Sequence, residues 1–267
     1  MLGTQSVTEG DPAKAAATSK WVHVDGLRIH YRTSEEVIPK GRPRIVLVHG
    51  WIVSSRYMVP VLKRLARHYQ IYAPDLPGFG KSEKPSRVLD VAGLSDALSA
   101  WMDAVGLEKA TLVGNSMGCQ IIANLAMRRP ELVERAVLQG PTMDPHGRSV
   151  ARQAARALLD VPREAPSLLG IELRDYLAAG TRRGWFTLRY ALEDRIEENL
   201  PRLQAPALVV RGSRDPICPQ RWAEELVQML PNGRLVVLSG AAHAANFGAP
   251  AEFAGVIREF LEEGKGA

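Results

Sequence analysis

Short runs of β-branched and other apolar residues, each ending in Gly or Pro, recur along most of this 267-residue chain. They are RIVLVHG, IYAPDLPG, ATLVGNS, RAVLQGP, ALVVRGS and RLVVLSG, which begin at residues 44, 71, 110, 135, 207 and 234. The stretches between them, such as MGCQIIANLAMRRP, carry apolar residues at the three- and four-residue spacing of amphipathic helices. Alternating strands and helices predict an α/β fold whose mostly parallel sheet is covered on both faces.

Departures from this alternation predict the remaining architecture. WVHVDG and LRIHYRT are short alternating stretches joined at an Asp-Gly, which is typical of a hairpin and brings the expected sheet to eight strands. Residues 142–203 contain only helical pieces, and we interpret them as a helical insertion in a core of residues 20–141 and 204–263. Residues 1–19 are rich in Ala, Ser, Thr and Gly and predict a flexible tail.

Composition excludes several partners. The formal charge of +5 is spread among acidic residues, and without a basic stripe interleaved with aromatics we predict no nucleic-acid binding. No apolar run approaches the ~20 residues of a membrane helix, and the first residues lack the pattern of a signal peptide. We therefore expect a cytoplasmic protein with no membrane partner. Cys119 and Cys218 lack the spacing of metal ligands and are expected to be small buried side chains.

The stretch LVGNSMG ends a strand-like run at a serine between two glycines, Gly114 and Gly118. A Gly-x-Ser-x-Gly between a buried strand and a helix is a nucleophile elbow, a sharp turn that strains its serine. The turn lifts the Ser116 hydroxyl above the sheet edge and directs the amide of Met117 toward a developing oxyanion. The position of the motif therefore predicts a nucleophilic serine.

A serine nucleophile needs a histidine base and an acid that orients the base. His243 follows the last predicted strand in a loop of small residues, so its side chain can project over the sheet edge. Asp215 follows ALVVRGS at the carboxyl edge, where open α/β sheets place their sites, and the order Ser, Asp, His fits. We predict these two residues as base and acid, with Asp144 as the alternative acid. The histidines interpreted as surface or packing residues are His23, His30, His68 and His146.

With these residues the chain resembles the α/β-hydrolase superfamily from about residue 21 to residue 261. The landmarks are His49-Gly50, the loop DLPGFGKS from residue 75, the elbow GNSMG, Gly-Ser-Arg-Asp at 212–215 and the late His243. The resemblance implies that the helical insertion of residues 142–203 is the cap of the family, which roofs the substrate pocket. It also implies a second oxyanion amide from the residue after His-Gly, which is Trp51 here, with Ile52 as the next candidate.

Some landmarks have a structural interpretation. In the family the residue equivalent to His49 usually orders its own loop, and Asp75 and Ser82 are expected to hold DLPGFGKS by hydrogen bonds to the backbone. That loop imitates a phosphate-binding Gly-x-x-x-x-Gly-Lys-Ser, but Asp75 replaces the first glycine and its carboxylate would repel phosphate. We predict no nucleotide, metal or other cofactor.

Serine at the elbow indicates acyl transfer, because relatives that displace halide or open epoxides carry aspartate there. A hydrolase of small, largely apolar carboxylic esters is therefore the first candidate. GNSMG also resembles the elbow of carbon–carbon hydrolases that act on ring-cleavage products, although the loop WIVSS and Ala244 after the histidine depart from them. A third candidate, from another class, is a ligand receptor that keeps the fold and shows a slow burst in place of turnover.

The candidate pocket residues are apolar or amphipathic, which suits an apolar acyl or aryl group. They are Trp51, Met117, Trp185, Phe186 and Tyr190, although the adjacent pair Trp185-Phe186 fits the core of the cap equally well.

The pH dependence follows from the base. The Asp215 carboxylate should raise the pKa of His243, and burial should lower it by a similar amount. The sequence therefore predicts a rate that rises with one proton loss between about pH 6 and 7.5.

Overall fold

The structure is a computed structural model and describes residues 17–34 and 43–263. Within these ranges the strands are β1 (Ala17–Val24), β2 (Leu27–Ser34), β3 (Arg44–Val48), β4 (Gln70–Pro74), β5 (Ala110–Asn115), β6 (Val133–Gln139), β7 (Ala207–Gly212) and β8 (Gly233–Leu238). The helices are α1 (Val59–Leu65), α2 (Val91–Ala104), α3 (Met117–Arg128), α4 (Val150–Asp160), α5 (Pro166–Ala179), α6 (Thr181–Glu193), α7 (Ile196–Asn199), α8 (Gln220–Met229), α9 (Ala245–Gly248) and α10 (Pro250–Glu262). Short 3-10 turns lie at Ser55–Met58, Pro130–Leu132, Pro145–Gly147, Val161–Arg163 and Leu200–Arg202.

In the described part of the chain, the eight strands form one sheet in the order β1-β2-β4-β3-β5-β6-β7-β8. β2 is antiparallel to both of its neighbours, and every other pair is parallel. The predicted α/β fold with a mostly parallel eight-stranded sheet is therefore confirmed.

The predicted hairpin joins β1 to β2 through Asp25 and Gly26, which both have positive φ, 50° and 77°. Two such residues in a row form the turn whose twist matches that of the flanking strands. The flexible tail predicted for residues 1–19 extends three residues too far, because residues 17–19 belong to β1 and pair with residues 32–34 of β2. Backbone hydrogen bonds to β2 hold this segment in a strand, although its small side chains alone favour a flexible chain. Residues 1–16 lie outside the described residues.

Both faces of the sheet are buried, which explains why its strands are continuous apolar runs. On β5, Leu112 packs on one face with Leu98 of α2 and Ile122 of α3. The next residue, Val113, packs on the other face with Phe253 of α10. Successive side chains of a strand point to opposite faces, so a strand covered twice needs apolar residues at nearly every position.

The strand order reverses at β3, which pairs with β4 on one side and with β5 on the other. In open α/β sheets the crevice outside the carboxyl ends of the strands at such a reversal holds the ligand. Ser116 follows β5, Asp215 follows β7 and His243 follows β8, so the three predicted residues leave the sheet at the same edge.

Helices α4 to α7 all lie between β6 and β7, and residues 142–203 contain no strand. The division of the chain into a core and an inserted cap stays a prediction. No helix in the described ranges is long and apolar enough to cross a membrane. Cys119 and Cys218 are buried and unbridged, as expected from their spacing.

Candidate active site

Ser116 forms a strained turn between β5 and α3. Its φ of 57° and ψ of −121° lie outside the regions that non-glycine residues favour, at a typical cost of about 1–3 kcal/mol. The Ser116 amide donates to Gln139 O on β6 at 2.9 Å, which holds the turn against the sheet. The backbone packs tightly on both sides, since a Cβ at Gly118 would lie 2.5 Å from Val48 O and one at Gly114 would lie 2.7 Å from the Gly118 carbonyl carbon.

Gly118→Ala is expected to lower the free energy of unfolding by about 1–3 kcal/mol, because the new methyl group would press on the backbone of β3. Gly255→Ala on α10 is the matched control. A Cβ there meets nothing within 4 Å, so that change should stabilise the helix by about 0.5–1 kcal/mol. Urea unfolding of both variants measures the contrast, and equal stability of the two would contradict the tight packing of the elbow.

His243 and Asp215 form a buried hydrogen-bonded pair. His243 Nδ1 donates to Asp215 Oδ2 at 2.9 Å, and the two residues are 8% and 2% exposed. The second carboxylate oxygen of Asp215 accepts the amides of Ile217 and Cys218, at 2.8 and 2.9 Å. These backbone donors fix the plane of the carboxylate, so its free oxygen is directed at the imidazole.

The alternative acid, Asp144, is held by other groups. Its Oδ2 accepts from Arg156 Nη2 at 2.5 Å, and its Oδ1 accepts from the His146 amide at 2.7 Å. Asp144 thus caps the turn Pro145–Gly147 and pairs with α4. Of the two aspartates, the structure brings Asp215 to His243.

A polar network that the sequence analysis did not identify supports the His243 loop. Asn115 Nδ2 donates to Gln139 Oε1 at 2.8 Å, and Gln139 Nε2 donates to the carbonyl oxygen of His243. Tyr57 donates its hydroxyl to Asn115 Oδ1 at 3.0 Å. The sequence signal for this network was the polar residue at the end of each of two buried strands, β5 and β6.

The protonation of His243 differs from the sequence-based expectation. Burial lowers the pKa of His243, but the charge and hydrogen bond of Asp215 raise it, and Asp160 and Glu164 raise it further. The balance raises the pKa of His243 to about 9. The expectation that the two shifts cancel is therefore wrong, because it omitted two carboxyl groups that lie between β6 and β7 in the sequence.

The cavity at Ser116 has two chambers. The first, which we call the acidic chamber, has a volume of about 200 Å³ and contains both Ser116 and His243 in its lining. Its carboxyl groups are Asp160, Glu164 and Glu172. Burial, as the largest cause, raises the pKa of all three, in the case of Glu164 to about 7.

The second, the apolar chamber, has a volume of about 420 Å³ and is lined by Ser116, Met117 and mostly apolar side chains. These include Met143, Val150, Leu158, Val161, Leu188 and Ile217. Ser116 and Trp51 line both chambers, so the predicted nucleophile lies at their junction.

The predicted pocket residues divide into two groups. Trp51 lines both chambers, and Met117 lines the apolar one. Neither chamber is lined by the other three predicted residues, which are Trp185, Phe186 and Tyr190. The prediction that they line the substrate pocket is therefore wrong for both chambers. Trp185 is 50% exposed, and the Phe186 ring packs beside Tyr190 and under the Arg182 guanidinium. The prediction rested on the aromatic side chains of these residues, and the sequence does not show which side of α6 faces the cavity.

The loop after β3 is tied on both sides. His49 Nδ1 lies 2.8 Å from Gly50 O and its Nε2 accepts from the Leu76 amide at 3.1 Å, so His49 orders its own loop. Trp51 Nε1 donates to Gly184 O on α6 at 2.9 Å. Trp51 is therefore fixed beside Ser116, while the next residue, Ile52, has a positive φ of 51°.

Asp75 holds the loop DLPGFGKS. Its carboxylate accepts the Ser55 amide at 2.6 Å and the Lys81 amide at 2.8 Å, and it pairs with His30 Nδ1 at 2.7 Å. Ser82 donates its hydroxyl to Asp75 O at 2.6 Å. Both residues thus hold the loop as predicted. Among the described residues, no group of three or more His, Cys, Asp or Glu could hold a metal ion.

The sheet is mostly parallel, with a strained serine after one strand and an aspartate and a histidine, paired with each other, after two later strands. These features define the class of nucleophile-elbow hydrolases. Residues 45–256 match the model of the Alpha/beta hydrolase family, and the chain belongs to that family and is a hydrolase.

Individual relatives agree with this membership. The chain is 27% identical over 256 residues to a pimeloyl-[acyl-carrier protein] methyl ester esterase of Neisseria meningitidis serogroup B, covering 85% of this chain and 96% of the relative. It superposes on a bacterial membrane phospholipase A with a TM-score of 0.79 and 25% identity, covering 94% and 87% of the two chains. It shares its fold with a 2-hydroxy-6-oxo-6-phenylhexa-2,4-dienoate hydrolase of Rhodococcus sp. strain RHA1, with a TM-score of 0.74, 22% identity and coverage of 93% and 100%.

Proposed function

We propose that this hydrolase cleaves carboxylic esters with a largely apolar acyl group, using Ser116, His243 and Asp215. The observation that carries the proposal is the placement of Ser116 and His243 in one cavity, with His243 Nδ1 held by Asp215 at 2.9 Å. The methyl ester esterase among its relatives adds support. We also propose that residues 142–203 form a cap over this cavity, since they contribute carboxyl and apolar side chains to its chambers.

In the proposed cycle Ser116 Oγ attacks the ester carbonyl carbon while His243 Nε2 accepts the hydroxyl proton. Asp215 stabilises the imidazolium, and the backbone amides of Met117 and Trp51 bind the oxyanion. When the intermediate collapses, the bond to the leaving oxygen breaks and that oxygen takes the proton from His243. Water then attacks the acyl-enzyme by the same steps, which releases the acid and restores Ser116.

The second candidate is cleavage of a carbon–carbon bond, favoured by the likeness to the dienoate hydrolase. A dienoate carries a carboxylate, and the acidic chamber would repel such a group on the His243 side of the cavity. We therefore rank ester hydrolysis first.

Purified protein should be assayed with short p-nitrophenyl esters, lactones and vinylogous diketones. Rapid multiple turnover of the esters supports the proposal, and faster turnover of the diketones would replace it with the second candidate. A single slow burst followed by tight ligand retention would instead identify a receptor.

The pH profile tests the charge around His243. Only neutral His243 accepts the serine proton, so kcat/KM is expected to rise as the pH rises through the pKa of His243 at about 9. Asp160→Asn removes one of the carboxyl groups that raise this pKa, so it should move the midpoint to lower pH.

The measurement is kcat/KM for one ester from about pH 5 to about pH 10, with spontaneous hydrolysis subtracted. Glu259→Gln on the exposed side of α10 is the matched control and should leave the midpoint in place. A midpoint below about pH 7.5, or one that Asp160→Asn does not move, would contradict this account of His243.

A further inference from the structure

The acidic chamber contains three carboxyl groups, and of the described residues that line it, His243 is the one group that can carry a positive charge. Asp160 ends α4, Glu164 follows it, and Glu172 lies on α5, so three carboxyl groups from adjoining segments line one small cavity. Among the described residues, its lining includes no lysine or arginine. Burial of ionised carboxylates is costly unless they are protonated or paired with a cation. The chamber is therefore built to favour a positively charged or proton-donating ligand.

Asp160 points to a ligand on independent grounds. It is only 6% exposed, and its Oδ1 atom is buried with no hydrogen-bond partner among the described residues. The carboxyl group otherwise interacts with the backbone of His243 and with Glu164. Glu164 already uses its Oε1 atom to accept the Ala244 amide at 2.6 Å. A buried carboxylate oxygen without a partner is destabilising, and the charge of a cation that lies against Asp160 would offset this cost.

Aromatic residues complete the chemistry of the chamber. Trp51 and Tyr57 line it together with the carboxyl groups. Carboxylates beside aromatic rings form the environment that attracts organic ammonium groups, through charge and through the electron-rich ring faces. The Trp51 indole is anchored to Gly184 O at 2.9 Å, so this wall of the chamber is held in place before a ligand binds.

The position of His243 determines which part of a substrate enters this chamber. His243 lines the acidic chamber and is absent from the lining of the apolar one, whereas Met117 lines only the apolar one. The leaving oxygen must take its proton from His243, so the leaving alcohol lies on the acidic side. The acyl group then occupies the apolar chamber, whose volume is about twice as large.

We propose that the acidic chamber selects the leaving group of the substrate, and that the preferred substrates are esters of a small alcohol that carries an ammonium group. This inference rests on the proposed ester hydrolysis for its kinetic test, but the binding it describes can be measured without turnover.

The kinetic test compares two butyrate esters of the same shape, 2-(trimethylammonio)ethyl butyrate and 3,3-dimethylbutyl butyrate, which differ in the charge of the alcohol. At fixed ionic strength and about pH 8, kcat/KM is expected to be at least about tenfold higher for the cationic ester. Asp160→Asn and Glu172→Gln should each bring this ratio close to one, while Glu259→Gln should preserve it.

The binding test uses Ser116→Ala protein, which removes the proposed nucleophile. Choline should raise its unfolding temperature more than 3,3-dimethylbutan-1-ol does at the same concentration, and adding Asp160→Asn should abolish the difference. Selective choline binding without Ser116-dependent hydrolysis of either ester would support the chamber assignment and overturn the proposed function.

Other results would overturn the ammonium preference and keep the proposed ester hydrolysis. Ser116-dependent hydrolysis with a ratio at or below one, or a ratio that neither carboxyl variant changes, would leave the proposed function standing and overturn the ammonium preference. Equal binding of choline and its neutral analogue would overturn it as well.

Discussion

Ser116→Ala is expected to lower ester turnover by roughly three to six orders of magnitude, because it removes the proposed nucleophile. The remaining rate would come from binding and from the proposed oxyanion amides of Met117 and Trp51. Alanine keeps the Cβ and the same backbone requirement at a φ of 57°, so the fold should persist. Initial rates with a p-nitrophenyl ester, beside an unfolding curve, measure both properties.

A labelling experiment and a control variant test the role of Ser116 directly. A fluorophosphonate that labels serine nucleophiles should react with the natural protein and not with Ser116→Ala. Ser213→Ala is the matched control, since Ser213 follows β7 as Ser116 follows β5, but its hydroxyl accepts the Gly240 amide at 2.8 Å in an exposed loop. Turnover in Ser116→Ala close to that of the control would remove Ser116 from the mechanism.

Asp215→Asn is expected to lower kcat by roughly 10⁴-fold, the typical effect of losing the acid that holds the histidine tautomer. The carbonyl oxygen of the new asparagine could still accept the amides of Ile217 and Cys218, so the loop should keep its shape. Its amide group could not accept the proton of His243 Nδ1, and the imidazole would lose both its orientation and the charge that stabilises its protonated form.

Asp144→Asn provides the comparison, because both aspartates are fully or almost fully buried and follow neighbouring strands. This change weakens the pairing with Arg156 and should lower stability while reducing kcat by less than about tenfold. Rates for both variants, measured well below their unfolding temperatures, decide the acid. A larger loss of kcat in Asp144→Asn than in Asp215→Asn would assign that role to Asp144.

The sequence alone determined the sheet and the order of the candidate residues along it. The strands of the core are buried on both faces, so runs such as RIVLV and ATLV stand out from the helical spacing around them. A serine, an aspartate and a histidine that follow three such strands leave the sheet at the same edge. Local sequence is enough for this prediction because the chain direction of a parallel strand determines which edge its last residue reaches.

Only the tertiary structure decided what surrounds these residues. Nothing in the sequence distinguishes Asp160, Glu164 and Glu172 from surface carboxylates. The packing of α4, α5 and the segment between them places all three in one cavity with His243, where Asp160 is buried and the other two are partly buried. The same packing leaves Trp185 half exposed on α6, although an aromatic residue was expected to line the pocket.

The physical reason is that the side of a short helix that faces a cavity depends on contacts between distant segments. Trp51 with Gly184 and Ser54 with Asp175 are such contacts, 133 and 121 residues apart in the chain. The charge environment of His243, and with it the pKa of about 9, follows from this long-range packing. It has no counterpart in the spacing of residues along the sequence.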